Sequence, residues 1–497
     1  MATKKKAVEP VKETLQNLVP GANALKVLMV GSECAPFSKT GGLADVMSTL
    51  PPALQKQGVD CRVMIPFHSK MKEKYATQTT HIADFYIQMG WRREYVGVEL
   101  LHYQGVDYYL IDNNYYFGGP IYKGGTDEGM QYAYFQRAVL EAMEYIDFDP
   151  DVMHCNDWQT GMIPMLIKTQ YQFRKQGKYK TLLTIHNIMY QGKYDFGFVK
   201  DLLHIPDMYC TPEYIENYGC ANFLKAGLVF ADKINTVSPT YAKELLSPYF
   251  AYELEGILAA RESDTVGIIN GINPAEYDPA TDKLIPYNFS ANDLSGKEEC
   301  KKALLAEMGL EYKEGRPVIG LVSRLTAQKG FDLIMRVIHD IMRLDIAIVL
   351  LGSGDAKYES FFRSVEQTYP GRFCAYIGYS NELSHKIYAG CDLFLMPSVF
   401  EPCGISQMIA LRYGTLPIVR ETGGLKDTVQ PYNQYTGEGN GFSFANVNAH
   451  DMLHTIEYAV EVLKDKEAHN TLVQNAFASD FAFEKSAKLY KELFESL

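Results

Sequence analysis

An α/β architecture of two doubly wound domains is the fold class this sequence predicts, on three observations. Short apolar runs recur along the chain. Each closes in a polar or glycine-rich loop and is followed by a helical pattern, the signature of βαβ units and parallel sheets. Twelve such runs are too many for one comfortable sheet, so they divide into two. A short segment, T-G-G-L-x-D, also opens a helix once in each half, at Thr40–Asp45 and at Thr422–Asp427.

Taken in order, residues 1–24 are polar and carry Lys4, Lys5 and Lys6, without the apolar core of a signal peptide or the Arg/Ser bias of a transit peptide. They are expected as a disordered tail. The first domain is expected over 25–262, with strands at Lys26–Val30, Asp60–Ile65, Asp107–Ile111, Asp151–Cys155, Thr181–Ile185 and Lys233–Val237. The turn-rich stretch Ser263–Asp278 reads as a hinge. The second domain, 263–475, takes strands at Thr265–Ile269, Pro317–Val322, Ile346–Leu351, Cys374–Ile377, Leu393–Met396 and Leu416–Val419. Residues 476–497 carry a last helix, Phe483–Leu497, that can pack back across the junction onto the first domain.

Composition narrows the function. A chain of 497 residues has material for two or three domains with sizeable cores. A hydrophobic share of 47% with 22% charged residues is that of a soluble globular protein. The net charge of -12 argues against a nucleic acid or an anionic membrane as partner. No apolar run approaches the roughly 20 residues that span a bilayer. The nine cysteines lack C-x-x-C or zinc spacing and read as reduced thiols in a cytoplasmic setting. The 35 tyrosines suit sugar faces, but each one suits a half-buried core better.

The residues that carry chemistry stand where strands end. In open α/β sheets ligands bind outside the carboxyl ends of the strands. Leu393–Met396 runs into Phe400-Glu401-Pro402-Cys403-Gly404, which offers a carboxylate able to grip hydroxyl groups. Lys39 precedes Gly41-Gly42, a cation beside a helix start whose free N–H groups attract phosphate. The second copy, Thr422-Gly423-Gly424, is expected to face the first across a diphosphate. Arg324 and Lys329 leave one strand end together and suit a departing diphosphate. Asp157 and His186 end neighbouring strands and belong on one rim. Asp147-Phe148-Asp149 has a metal-binding D-x-D form but lies at the wrong end of its strand and reads as a solvated turn. Gly352-Ser353-Gly354-Asp355 lacks the third glycine of a dinucleotide fingerprint.

With these motifs in hand, the chain resembles a known family. K-T-G-G-L-A-D-V at Lys39–Val46, H-N at His186–Asn187, N-T-V-S-P at Asn235–Pro239, S-R-L-T-A-Q-K-G at Ser323–Gly330, E-P-C-G at Glu401–Gly404 and the run Ala410–Leu425 look like those of bacterial glycogen synthases and plant starch synthases. The similarity extends from about Lys26 to the C-terminus. It implies two Rossmann-like domains of the GT-B type across a deep cleft. It also implies transfer of glucose from ADP-glucose to the non-reducing end of an α-1,4-glucan, with retention.

By resemblance, the catalytic group comprises Lys39, Asp157, His186, Arg324, Lys329 and Glu401. Gly41, Gly42, Asp45, Gly354, Tyr379, Cys403, Gly404, Ser406, Thr422, Gly423 and Gly424 are expected around the nucleotide-sugar, and Tyr116, Asn187 and Tyr190 around the acceptor. No cofactor or metal is implied, because Lys39, Arg324 and Lys329 supply the positive charge. The expected partners are the two substrates; the oligomeric state stays open. Same-face attack is favoured over a covalent intermediate, since Glu401 is occupied with sugar hydroxyls. Asn156, where the family often has His, Ser406 for Thr, Asn273 for Asp, Gln131 for Arg and Phe483 for Trp depart from the pattern; of these, Gln131 is the change expected to touch glucan contacts. Two other readings remain: a transferase using UDP-glucose or forming maltose-1-phosphate, and a silent glucan-binding scaffold. The scaffold would have been expected to lose one of the five residues Lys39, His186, Arg324, Lys329 and Glu401.

Overall fold

The computed structural model describes residues 24–497, so the tail expected over 1–24 lies, apart from Ala24, outside the described residues. The strands run in chain order β1 (Lys26–Val30), β2 (Asp60–Pro66), β3 (Thr79–Met89), β4 (Arg92–Tyr103), β5 (Val106–Asp112), β6 (Val152–Asn156) and β7 (Lys180–Ile185). A small antiparallel sheet follows, of β8 (Lys193–Tyr194), β9 (Glu216–Asn217) and β10 (Cys220–Asn222), before β11 (Lys233–Thr236) and β12 (Thr265–Gly267) rejoin the main sheet. The second large sheet holds β13 (Val318–Val322), β14 (Ala347–Gly352), β15 (Phe373–Ile377), β16 (Leu393–Met396), β17 (Leu416–Arg420) and β18 (Phe442–Phe444).

The first sheet has the order β12-β11-β7-β6-β1-β2-β5-β4-β3, and its strands are parallel except at β4, which is antiparallel to both β3 and β5. The second has the order β15-β14-β13-β16-β17-β18 and is parallel throughout. The order reverses around β1 in the first sheet, between β2 and β6, and again at β5, where the antiparallel β4 and then β3 follow; in the second sheet it reverses around β13, between β14 and β16. Such switch points open a crevice at the carboxyl ends of the strands.

Two differences from the sequence reading have plain causes. The run Thr265–Ile269, assigned on sequence to the second half, forms β12 and pairs with β11 at the edge of the first sheet. The hairpin β3–β4 does not appear among the predicted strands, because its residues largely alternate between buried and exposed and form no continuous apolar run.

The cores follow the helices. One buried cluster fills one side of the first sheet and extends under the second. The helix Gly42–Lys56 covers the other side of the first sheet with Leu50 and Leu54, and the final helix, Phe483–Glu495, packs there through Phe483, Ala487, Tyr490 and Phe494. Asn235 donates from Nδ2 to the Tyr490 hydroxyl at 2.7 Å, and Ile272 N–H donates to the Phe481 carbonyl at 2.8 Å. The chain therefore crosses from first domain to second and back again.

Candidate active site

Every loop of interest leaves a carboxyl end close to a switch point. From the first sheet come the segment after β1 with Glu33 and Lys39, Asp157 after β6 and His186 after β7. From the second come Arg324 after β13, Glu401 after β16 and Thr422 after β17. The two sets meet across the cleft: a Cβ placed on Gly42 would stand 3.5 Å from Ile405 Cδ1, beside the E-P-C-G loop.

On the second domain's side, Lys329 Nζ donates to Glu401 Oε2 at 2.5 Å, and Ser398 Oγ donates to the same oxygen at 2.9 Å. Glu401 is 6% exposed, so its charge is matched by Lys329 rather than by water. The loop is held tightly from beneath. A Cβ on Gly423 would lie 2.0 Å from the Glu401 carbonyl, and one on Gly424 would lie 2.0 Å from that of Cys403. Here glycine permits backbone contact between the two loops. Burial pushes the Cys403 thiol up to about 12, so it packs as a neutral group. Ser406 shares a 3.1 Å hydrogen bond with the Tyr388 hydroxyl. Arg324 is exposed, and Gly354 lies at the end of the adjacent strand, bridged to Leu325.

Across the cleft, Lys39 Nζ bonds Asp45 Oδ1 at 2.6 Å. Burial alone would pull the Lys39 ammonium down, but Asp45, Tyr379 and Glu276 outweigh it and hold its pKa above the usual value. Tyr379, from the opposite domain, is 81% exposed and near enough to Lys39 to act on its charge. The two Gly-rich loops do not share one environment, however. Glu244 of the first domain reaches the second copy, accepting from Thr422 Oγ1 at 2.9 Å and from Gly423 N–H at 3.1 Å. Asp427 reciprocates by accepting from Ser238 Oγ at 2.5 Å and Thr240 N–H at 3.0 Å. The helices Pro239–Glu244 and Gly423–Thr428 thus cap each other across the domain junction.

Asp157 has φ 58° and ψ -174°, backbone that a side chain rarely adopts. Its Oδ1 accepts from the His186 N–H at 2.7 Å. Burial drives its pKa to about 7 against those donors, with Glu33 adding repulsion. The His186 ring is held down to about 3 by burial, so it is neutral. Asn156 donates from Nδ2 to the carbonyls of Val30 and His154, which leaves Oδ1 to accept from His186 Nε2 at 2.9 Å. That assignment makes Nδ1 the open acceptor of His186.

Several of these groups escaped the sequence reading. Glu33 is 2% exposed and accepts from Thr40 N–H at 2.6 Å and Thr40 Oγ1 at 2.7 Å, fixing the first Gly-rich loop from below. Tyr122 shares a 3.0 Å hydrogen bond with Ser32 and lies near Glu33 and Asp157. Only the spacing of Glu33 from the following T-G-G-L hinted at it. Asn187 N–H stands 3.4 Å from Asp157 Oδ1, and Tyr190 is 48% exposed on the rim of a cavity of about 580 Å³.

Two expectations are corrected. Tyr116 is 1% exposed, with its ring stacked on Tyr134 at 4.1 Å, so it offers no face to a sugar. Gln131 is fully buried, and neither side-chain polar atom has a partner, so it faces the core and not a ligand. Among the described residues, no group of three or more His, Cys, Asp or Glu is placed to hold a metal ion, and no helix is long and apolar enough to cross a membrane.

Two doubly wound domains, with carboxylate and cations converging on facing switch points, define a glycosyltransferase of the GT-B type. Residues 26–260 match the family model described as a starch synthase catalytic domain, and residues 309–479 match that of the group 1 glycosyl transferases. The chain belongs to the glycogen synthase and starch synthase family of enzymes. It is 47% identical to the glycogen synthase of Geobacillus thermodenitrificans, over 95% of this chain and 98% of that one. Identity is also 47% with the glycogen synthase of Lachnospira eligens, over 95% and 99%. Among solved structures, the catalytic domain of starch synthase IV from Arabidopsis thaliana, bound to ADP and acarbose, superposes with a TM-score of 0.88 at 32% identity, covering 95% of this chain and 99% of that one. The sucrose-phosphate synthase of Thermosynechococcus elongatus, at 16% identity and a TM-score of 0.58, shares the fold.

Proposed function

We propose that this chain transfers glucose from ADP-glucose to the non-reducing end of an α-1,4-glucan, with retention and without a metal ion. The observation that carries the reading is the Lys329–Glu401 pair at the second switch point, facing Lys39 across the cleft. Glu401 keeps Oε1 free for donor hydroxyls while Oε2 is shared between Lys329 and Ser398. Lys329, Arg324 and Lys39 supply positive charge where a leaving diphosphate gains negative charge. The relative whose structure contains ADP and acarbose supports both the nucleotide and the glucan side.

Retention follows best from attack on the face the phosphate leaves. A covalent route needs an ionised carboxylate beneath the anomeric carbon. Glu401 is engaged by Lys329, and Asp157, with a pKa of about 7, is half protonated near neutrality. The leaving phosphate then accepts the acceptor's proton. Asp157 fixes the His186–Asn187 backbone, and neutral His186 presents Nδ1 to the sugar. Closure of the cleft excludes water that would hydrolyse the donor.

The test is nucleotide release with glycogen in the presence of EDTA, comparing ADP-glucose with UDP-glucose. Glucan-dependent ADP release is expected, with an α-1,4 product by NMR. Preference for UDP-glucose would reassign the donor, and silence with both would refute the reading.

A further inference from the structure

A cluster of ionisable side chains lies buried behind the donor loop, apart from the groups used above. Its centre is Asp282, on the linker that carries the chain from the first domain into the second. Asp282 Oδ2 accepts from the Tyr413 hydroxyl at 2.6 Å and stands 2.7 Å from His385 Nδ1, while Oδ1 accepts from the Leu284 N–H at 2.8 Å. An ionised carboxylate only accepts, so His385 donates from Nδ1. Burial and the bond to Asp282 hold the Tyr413 phenol far above its usual pKa, which keeps its proton in place. His385 is buried, its Nε2 is without a partner among the described residues, and its ring stacks on Tyr277 with centroids 5.1 Å apart.

Each member belongs to an element that leads to the donor loop or to the cleft. Tyr413 directly follows the helix Ser406–Arg412, which begins two residues after Gly404. Gln407 of that helix holds the loop, donating from Nε2 to the carbonyls of Cys403 at 3.2 Å and Gly404 at 3.0 Å. His385 is on the helix Asn381–Gly390, where Tyr388, one turn further on, bonds Ser406. Lys297 Nζ donates at 3.0 Å to the carbonyls of both Ala389 and Tyr413, tying the carboxyl ends of the two helices together. Arg412 grips the linker itself, with Nη2 3.2 Å from Asp278 Oδ2 and Nε 3.3 Å from the Tyr277 carbonyl. Toward the cleft, Glu276 acts on the charge of Lys39, and Tyr277 senses Asp45. The strip Glu276–Asp282 therefore runs from the Lys39 side of the cleft to the rear of the donor helix.

We propose that Asp282, His385 and Tyr413 are positioning residues for the transfer, a buried anchor that fixes the far end of the Ser406–Arg412 helix to the linker and so holds the Glu401 loop in place against the opposite domain. For what that loop binds, the proposal rests on the glucan-transfer reading. The three act through the helix rather than on substrate. A packed helix of seven residues transmits a shift at Tyr413 to Cys403 and Gly404. A buried carboxylate is tolerated only with its donors fixed. Here the donors come from the linker and from both helices, so the charge of Asp282 defines how the three elements sit together.

Alkylation of Cys403 by iodoacetamide reads the loop without any turnover, because that thiol is buried within it. Cys155, buried in β6 of the first domain, is the control. Tyr413→Phe keeps the ring and removes one donor. It should speed modification of Cys403, followed by mass spectrometry, about tenfold, the population change that loss of one hydrogen bond to a charged group gives, and leave Cys155 unchanged. In ADP release with glycogen, KM for ADP-glucose should rise about tenfold while KM for glycogen stays within about twofold, a split that a merely structural residue would not give. His385→Leu should behave in the same way. His385→Asn, whose Nδ2 takes the place of Nδ1, should stay within about threefold of wild type in both measurements. Equal modification of Cys403 in Tyr413→Phe and wild type, Cys155 rising in step with Cys403, or His385→Asn as impaired as His385→Leu would each overturn the proposal. With the wild-type chain active, such a result would sink this inference alone. Selective exposure of Cys403 by Tyr413→Phe, in a protein whose wild type transfers glucose from neither donor, would keep the anchor and refute the reading beneath it.

Discussion

Replacing either partner of the Lys329–Glu401 pair should reveal how strongly one group depends on the other. The side chains are 17% and 8% exposed, with Nζ and Oε2 2.5 Å apart. At an effective dielectric of 20, two unit charges at that distance attract by about 7 kcal/mol before desolvation is counted. Desolvation removes much of this, but deleting one member strands the other as a buried charge, at about 3–5 kcal/mol. Glu401→Gln and Lys329→Met should therefore each lower stability, and the double variant should lie closer to wild type than the sum, with a coupling of about 1–3 kcal/mol. Urea unfolding followed by circular dichroism measures it. Both single variants should also lose about 100-fold or more in kcat, as expected for groups acting in the transition state. Stability changes that add within about 0.5 kcal/mol would show that the groups do not sense each other, and near-normal turnover would remove them from the chemistry.

Other residues make further predictions. Asp157 has a folded pKa of about 7, above its ordinary 3.8, so the folded state keeps a proton that the unfolded chain loses between about pH 4 and 7. Stability should fall across that window and then level; Asp157→Asn should flatten the fall and gain stability at pH 8, by at most about 4 kcal/mol, read from urea midpoints against pH. Asp427→Ala removes the acceptor for Ser238 and Thr240 and should cost about 2 kcal/mol, with a raised KM for the donor as the domain junction loosens; an unchanged midpoint would dismiss the reciprocal cap. Tyr490→Phe leaves Asn235 Nδ2 without that acceptor and should lower stability by about 1 kcal/mol in thermal unfolding.

The parallel sheets were legible because their strands are continuous apolar runs, whose pattern survives without any knowledge of the fold. The loops with chemistry were legible for a related reason: Lys39, Asp157, His186, Arg324 and Glu401 each follow such a run, and carboxyl ends of parallel strands face one way. Pairing and burial were not. Sequence spacing does not say that Lys329 meets Glu401 over 72 positions, that Glu244 occupies the start of the second Gly-rich loop, or that Asn156 fixes His186. Tyr116 and Gln131 look like ligand contacts in the chain and are buried, because which face of a helix turns inward depends on what packs against it. The antiparallel β3–β4 hairpin and the return of the last helix likewise depend on long-range contacts. Local order along the chain determined the class of fold and the ends of the strands. Only the tertiary structure decided which charges neutralise each other, because burial and distance are properties of the packed molecule.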